Sequence, residues 1–108
     1  MEELIDEVIE KFNSAAEKEG EHTKYLENME RNIEIEIGEK IYYCKLKDKK
    51  IMRHNEKFEK CDIKVITDEE TFLGIMRKEI NPLKAYIEGK LKVRASLTDL
   101  VLMRKLLL

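Results

Sequence analysis

The sequence predicts an α+β fold: a sheet of about five strands, antiparallel-rich, with helices packed on one face. Three observations predict it. Apolar residues recur every three or four positions over residues 2–19, and every second position over Ile33–Ile37 and again over Tyr42–Leu46. Beyond Asp62 the chain then alternates strand-like and helix-like segments, each with its own cap or turn residues. At 108 residues it is long enough for one core and a single domain over 1–108.

The first helix is carried by Leu4, Ile5, Val8, Ile9, Phe12, Ala15 and Ala16, with Glu and Lys on the side facing water and Gly20 as its stop. Tyr25, Leu26 and Met29 mark a shorter helical patch over about 21–31. Ile33, Ile35 and Ile37 then alternate with Glu34 and Glu36, which is a strand with one wet face. Gly38-Glu39 turns it into Lys40–Lys47, where Tyr42, Cys44 and Leu46 share a face. Asp48-Lys49 turns the chain again into Lys50–Asn55, completing a meander whose Lys-rich outer positions discourage edge pairing.

A polar connection leads to a fourth strand over Asp62–Thr67. Thr67 or Asp68 caps the following helix, and Thr67 with Glu70 fits a capping box. Phe72, Leu73, Ile75, Met76 and Ile80 form its apolar face. Asn81-Pro82 stops that helix and starts another, since Asn is a good N-cap and Pro suits the first helical position. Gly89 ends the short helix before a fifth strand, Lys90–Arg94. Ser96, with Asp99 three residues later, caps a final helix that is apolar nearly all round: Leu97, Leu100, Val101, Leu102, Met103, Leu106, Leu107 and Leu108. Such a helix needs cover on more than one side, from a ligand, another subunit or a membrane surface.

Composition excludes several functions. The net charge of -2 divides into four basic and thirteen acidic residues over 1–39, against seventeen basic and ten acidic over 40–108. The acidic first helix neutralising a basic remainder explains this plainly; a basic face approaching anionic lipid headgroups is the sharper alternative. Nucleic-acid binding is not indicated, because no basic motif is interleaved with aromatics. Cys44, Cys61, His22 and His54 lack the spacing of a metal site, so no metal or other cofactor is expected. The first helix begins acidic instead of basic, and no apolar run approaches the roughly 18 residues of a membrane span, so a cytoplasmic protein is expected. Abundant Lys and Glu with no Gln fit a thermophile, and an AT-rich genome pushes composition the same way. A nucleophile needs an activating base, and the two histidines lie in polar segments; Glu69-Glu70 is explained by its place in a first helical turn. The expectation is a protein that is not an enzyme.

The segments Asp62-Ile63-Lys64-Val65 and Thr67–Phe72, followed by Asn81-Pro82, Ala85, Tyr86 and Gly89-Lys90-Leu91-Lys92-Val93, resemble the sterol carrier protein 2 family of lipid-transfer domains. The resemblance is specific over about the last half of the chain and architectural over the first. Ala95-Ser96 where members often have Gly, the absence of Trp, and a Leu106-Leu107-Leu108 end point to a divergent, prokaryotic member. The resemblance implies an apolar cavity between sheet and helices that holds a sterol, fatty acyl or isoprenoid lipid unchanged. Carried onto this sequence, its lining is expected from Phe72, Ile75, Met76, Ile80, Leu83, Tyr86, Ile87, Leu100 and Met103. The same residues at the same spacing also serve an ordinary core. Expected partners are thus a lipid or other hydrophobic small molecule and, transiently, an anionic membrane surface reached by the basic stretch Lys40–Lys60. The alternative is a homodimeric assembly module joined through the C-terminal helix, with a vestigial cavity.

Overall fold

The period-two segments close into one five-stranded sheet of order β3-β2-β1-β4-β5. In this computed structural model, residues 2–17 and 28–101 are described. The elements are α1 (Glu2–Glu17), β1 (Arg31–Ile37), β2 (Lys40–Lys47), β3 (Lys50–His54), β4 (Ile63–Thr67), α2 (Glu69–Met76), α3 (Pro82–Ile87) and β5 (Leu91–Arg94). A further helix starts at Leu97 and is described as far as Val101. The expected helical patch over 21–31 lies mostly outside the described residues, and its last residue, Arg31, already belongs to β1.

The meander forms as expected. β1 and β2 pair antiparallel from Arg31↔Leu46 to Ile37↔Lys40, and β2 and β3 from Tyr43↔His54 to Lys47↔Lys50. Both connections have two residues. Gly38 stands at φ 60° in the first, and in the second Asp48 and Lys49 both take positive φ, the left-handed geometry of a turn whose twist matches its strands. β4 returns to the opposite edge of β1 and pairs with it in parallel, Ile33↔Ile63 through Ile37↔Thr67, so the sheet is mixed though mostly antiparallel. The return is pinned where it enters: the Asn32 backbone N–H donates to Asp62 Oδ2 (2.8 Å), the Asp62 N–H donates to the Asn32 carbonyl (2.9 Å), and the Asn32 side chain donates to the Lys60 carbonyl (3.1 Å). β5 pairs antiparallel with β4.

This register gives the sheet two unlike faces. Ile33, Ile35, Ile37, Tyr42, Cys44, Leu46, Ile51, Ile63, Val65, Leu91 and Val93 share the inner face, because strand side chains alternate and directly paired residues point the same way. The outer face carries Glu34, Lys64 and their neighbours, with Lys64 Nζ 3.1 Å from Glu34 Oε2. That carboxylate holds the Lys64 ammonium above its ordinary value, chiefly through their hydrogen bond. Phe58 stacks on His54 at 4.6 Å between ring centroids and meets Tyr43 edge-on at 6.0 Å, so the crossover also seats on the outer face.

α1 lies across β3, β2 and β1. Ile5 and Phe12 are buried beneath it, and Asn13 bridges to β3, accepting from the Ile51 N–H (2.7 Å) and donating to the Ile51 carbonyl (3.1 Å). Arg53 faces its acidic side at 3.3 Å from Asp6 and 3.8 Å from Glu2, so the first helix does neutralise part of the basic sheet. Lys45 and Lys47 likewise lie 3.6 and 3.8 Å from Glu30. Among the described residues, no helix is long and apolar enough to cross a membrane.

Candidate functional site

Two apolar clusters lie between the inner face and the helices. One joins Phe12, Ile33, Cys44, Leu46 and Ile63; the other joins Ile5, Ile37, Tyr42 and Phe72, with Met76 packed against it. Ile9 and Ile35 touch both. The first is ordinary core under α1. The second brings α2 over the sheet, and it depends on how α2 starts.

Asp68 provides that start. Its side chain accepts from the Thr71 N–H (2.7 Å) and from the Thr71 hydroxyl (2.9 Å), capping α2. Thr67 is not half of a capping box: it is buried, and its hydroxyl donates to the Lys90 carbonyl (3.0 Å), tying β4 to the residue before β5. The hydrogen bond from the Thr71 N–H, with help from its hydroxyl, holds the Asp68 carboxyl below its ordinary 3.8. A carboxyl depressed in the folded state stabilises fully above the unfolded value and loses that contribution as pH falls through the folded one. Asp68→Ala is therefore expected to cost about 1 kcal/mol at pH 7, with the difference from wild type shrinking below about pH 4. Urea denaturation at the two pH values reads this; a cost unchanged at low pH would contradict it.

The sequence extends α2 to Asn81-Pro82, but α2 ends at Met76. Lys78 takes φ 63°, and the Gly74 carbonyl accepts from the N–H groups of both Glu79 (2.8 Å) and Ile80 (3.0 Å). The turn folds Ile80 back onto Gly74, where any side chain would overlap the Ile80 side chain. The apolar spacing of Ile80 reads as helical from sequence because the turn keeps it on the same side. Asn81 then caps α3 as expected, accepting from the N–H groups of Leu83 (2.9 Å) and Lys84 (3.3 Å).

The expected lining residues separate into groups. Phe72 and Met76 meet Tyr42, Ile5 and Ile37 at the inner face. Ile75, Ile80 and Leu100 are half-buried. Leu83, Tyr86 and Ile87 are exposed at 41%, 45% and 75%, because Ala85 is the residue α3 buries. Met103 lies outside the described residues. The inner face over β4 and β5 contributes Val65, Leu91 and Val93, all half-buried, which the sequence presented only as strand alternation. Tyr42 was visible as an inner-face residue of β2. Its isolated hydroxyl was not, since that depends on what α1 and α2 bring to it.

The polar groups near this space are spoken for, with one exception. Thr67 and Thr71 donate as described, and the Asp99 carboxylate is engaged by Arg31 at 2.9 Å. Cys44 is fully buried, and burial pushes its thiol up to about 11, which makes it a poor nucleophile. Burial also raises Cys61, which donates to the Ile63 carbonyl at 2.8 Å. Titration with Ellman's reagent at pH 8 is expected to find at most one accessible thiol in the native protein and two in urea; two fast native thiols would contradict this packing. The exception is the Tyr42 hydroxyl, buried with no hydrogen-bond partner among the described residues. Among those residues, no group of His, Cys, Asp or Glu side chains could hold a metal ion. An open depression bounded by Gly38, Glu39, Lys40 and Glu69 lies at the β1–β2 turn.

A profile described as the SCP-2 sterol transfer family matches residues 9–106. No curated protein matches the sequence. Among solved structures, the sterol carrier protein domain 2 of Helicoverpa armigera is similar at 17% identity and a TM-score of 0.60, over 95% of this chain and 84% of that one. The palmitated SCP2L2 of Aedes aegypti is similar at 16% identity and a TM-score of 0.60, over 91% and 84%. The inverting sec-alkylsulfatase Pisa1 from Pseudomonas sp. is similar at 14% identity and a TM-score of 0.56, over 87% of this chain but only 14% of the sulfatase. The chain thus spans about a seventh of that enzyme's length, and these identities speak for the fold alone.

Proposed function

The chain belongs to the SCP-2 sterol transfer family, and on that premise we propose that it binds the hydrophobic part of a lipid between the inner face of its sheet and its helices, without altering it. The observation that carries this reading is the half-covered inner face beside α2. Val65, Leu91 and Val93 on the sheet, and Ile75, Met76, Ile80 and Leu100 on the helices and the α2–α3 connection, are apolar and only half-buried. Each square ångström they remove from water on binding is worth about 25 cal/mol, against the cost of immobilising the ligand. Fatty acyl, isoprenoid and sterol-like lipids all fit that chemistry. The palmitated relative is consistent with a fatty acyl ligand.

The reactive side chains support binding over catalysis. Cys44 is held as a thiol in the core, and His54 is stacked on Phe58 at the outer face, across the sheet from the apolar side. Native mass spectrometry of recombinant protein, with displacement of a fluorescent fatty-acid probe, tests the reading. Co-purified lipid or saturable, competable probe binding is expected; neither would overturn it.

A second reading has one observation in its favour. Leu97 is 77% exposed and Val101 47% exposed on the final helix, which suits a homodimer formed through it. Light scattering of the full chain and of Leu97→Glu separates the two, since a monomer in both leaves the dimer without support.

A further inference from the structure

Tyr42 poses a specific energetic problem. It is 6% exposed, its hydroxyl has no partner among the described residues, and its neighbours Ile5, Ile37, Phe72 and Met76 are apolar. Burying a hydroxyl without a hydrogen bond is costly, and phenylalanine would fill the same volume without that cost. Phe72 and Met76 are also expected lining residues, so Tyr42 belongs to the cluster that α1 and α2 close over the sheet.

The charges around it define what it suits. Arg53 reaches the Tyr42 ring, its guanidinium carbon 5.3 Å from the ring centroid. The same guanidinium is engaged by Asp6 at 3.3 Å and Glu2 at 3.8 Å. A carboxylate brought to Tyr42 would lose its hydration, find one hydroxyl donor, and face a cation already neutralised by two acids. A neutral alcohol or carbonyl oxygen would lose far less and would satisfy the hydroxyl.

We propose that the Tyr42 hydroxyl is the hydrogen-bonding point for the neutral polar end of the bound lipid, and that it selects alcohol- or carbonyl-ended chains over fatty acid carboxylates. This rests on the lipid-binding reading above and adds a ligand class to it. Tyr42 positions the ligand; it performs no chemistry.

The test uses Tyr42→Phe and the neutral dye N-phenyl-1-naphthylamine, displaced from the full chain by 1-dodecanol or by dodecanoate. Wild type is expected to prefer 1-dodecanol. Tyr42→Phe is expected to weaken 1-dodecanol about tenfold, the scale of satisfying one otherwise unpaired buried group, and to leave dodecanoate and the dye within about twofold. The ligand-free variant is expected to melt no lower than wild type, because it loses an unsatisfied hydroxyl. Unchanged 1-dodecanol affinity, or an equal loss for both ligands, would overturn the assignment while leaving the lipid reading intact; the unchanged result is also what a hydroxyl satisfied by internal water gives. A lower melting temperature would overturn it too, by showing that the hydroxyl already has a partner. If wild type binds neither the dye nor either ligand, the lipid reading itself fails.

Discussion

Truncating Phe72 to alanine is expected to lower the stability of the ligand-free protein by about 3–4 kcal/mol, the cost of deleting a buried aromatic ring and leaving a cavity. Phe72 is 9% exposed and packs with Ile5 from α1, Ile37 from β1 and Tyr42 from β2. It is the buried apolar contact that α2 makes with the rest of that cluster, so no other α2 side chain compensates fully for its loss. A loss of this size in a domain with about 5–15 kcal/mol of total stability should lower the melting temperature by roughly 15–20 °C. Differential scanning calorimetry reads it directly. A cost under about 1 kcal/mol would mean that the ring lines open space instead of filling core, and the loss should then appear in ligand affinity. The experiment therefore decides between the two roles that helical spacing alone leaves open for Phe72.

Arg31→Ala is expected to cost about 2–3 kcal/mol. Arg31 Nε lies 2.9 Å from Asp99 Oδ2 and Nη2 lies 3.4 Å from Oδ1, joining the start of β1 to the final helix across 68 positions of chain. Asp99 is 4% exposed, and its backbone N–H donates to Ser96 Oγ at 3.1 Å, so the carboxylate is fixed at the helix start. The Asp99 hydrogen bond raises Arg31 above its ordinary value. Removing the guanidinium leaves a buried carboxylate without its partner, which is the expensive way to break an ion pair. The estimate stays below the roughly 3–5 kcal/mol of a fully buried pair, because the arginine side chain is 32% exposed. Arg31→Lys should recover part of the loss, since an ammonium restores the charge but not the fork. Urea denaturation of Arg31→Ala, Asp99→Asn and the double variant should give coupling of about 1–2 kcal/mol; additive losses would contradict the pairing.

The strands were legible because their signal is local. Ile33, Ile35 and Ile37 alternate with glutamates, and Gly38 and Asp48-Lys49 sit where the turns fall, so the β1–β2–β3 meander follows from neighbouring residues. The same periodicities gave the fold class, and resemblance over Asp62–Val93 supplied the family. What was not legible depends on distant partners. Nothing local places β4 parallel beside β1, because that pairing is fixed by Asn32, Lys60 and Asp62 meeting across thirty positions. Ile80 continues the apolar spacing of α2, yet a left-handed Lys78 ends the helix before it. Thr67 fits a capping box in sequence, but its hydroxyl reaches Lys90 instead. Leu83, Tyr86 and Ile87 have lining chemistry, but α3 turns Ala85 inward and leaves them exposed. The Arg31–Asp99 pair and the unpartnered Tyr42 hydroxyl appear only once the sheet and helices are assembled.

The proposed place of a bound lipid is the inner face, under α2. Intermolecular nuclear Overhauser effects between a bound, 13C-labelled acyl chain and the protein's methyl groups test it most directly. Contacts are expected to Met76, Ile75, Ile80, Val65 and Val93, with none to Ile41, Met52 or Ile66 on the outer face. Contacts confined to the outer-face methyls, or a saturated complex showing none to the inner-face set, would contradict the account.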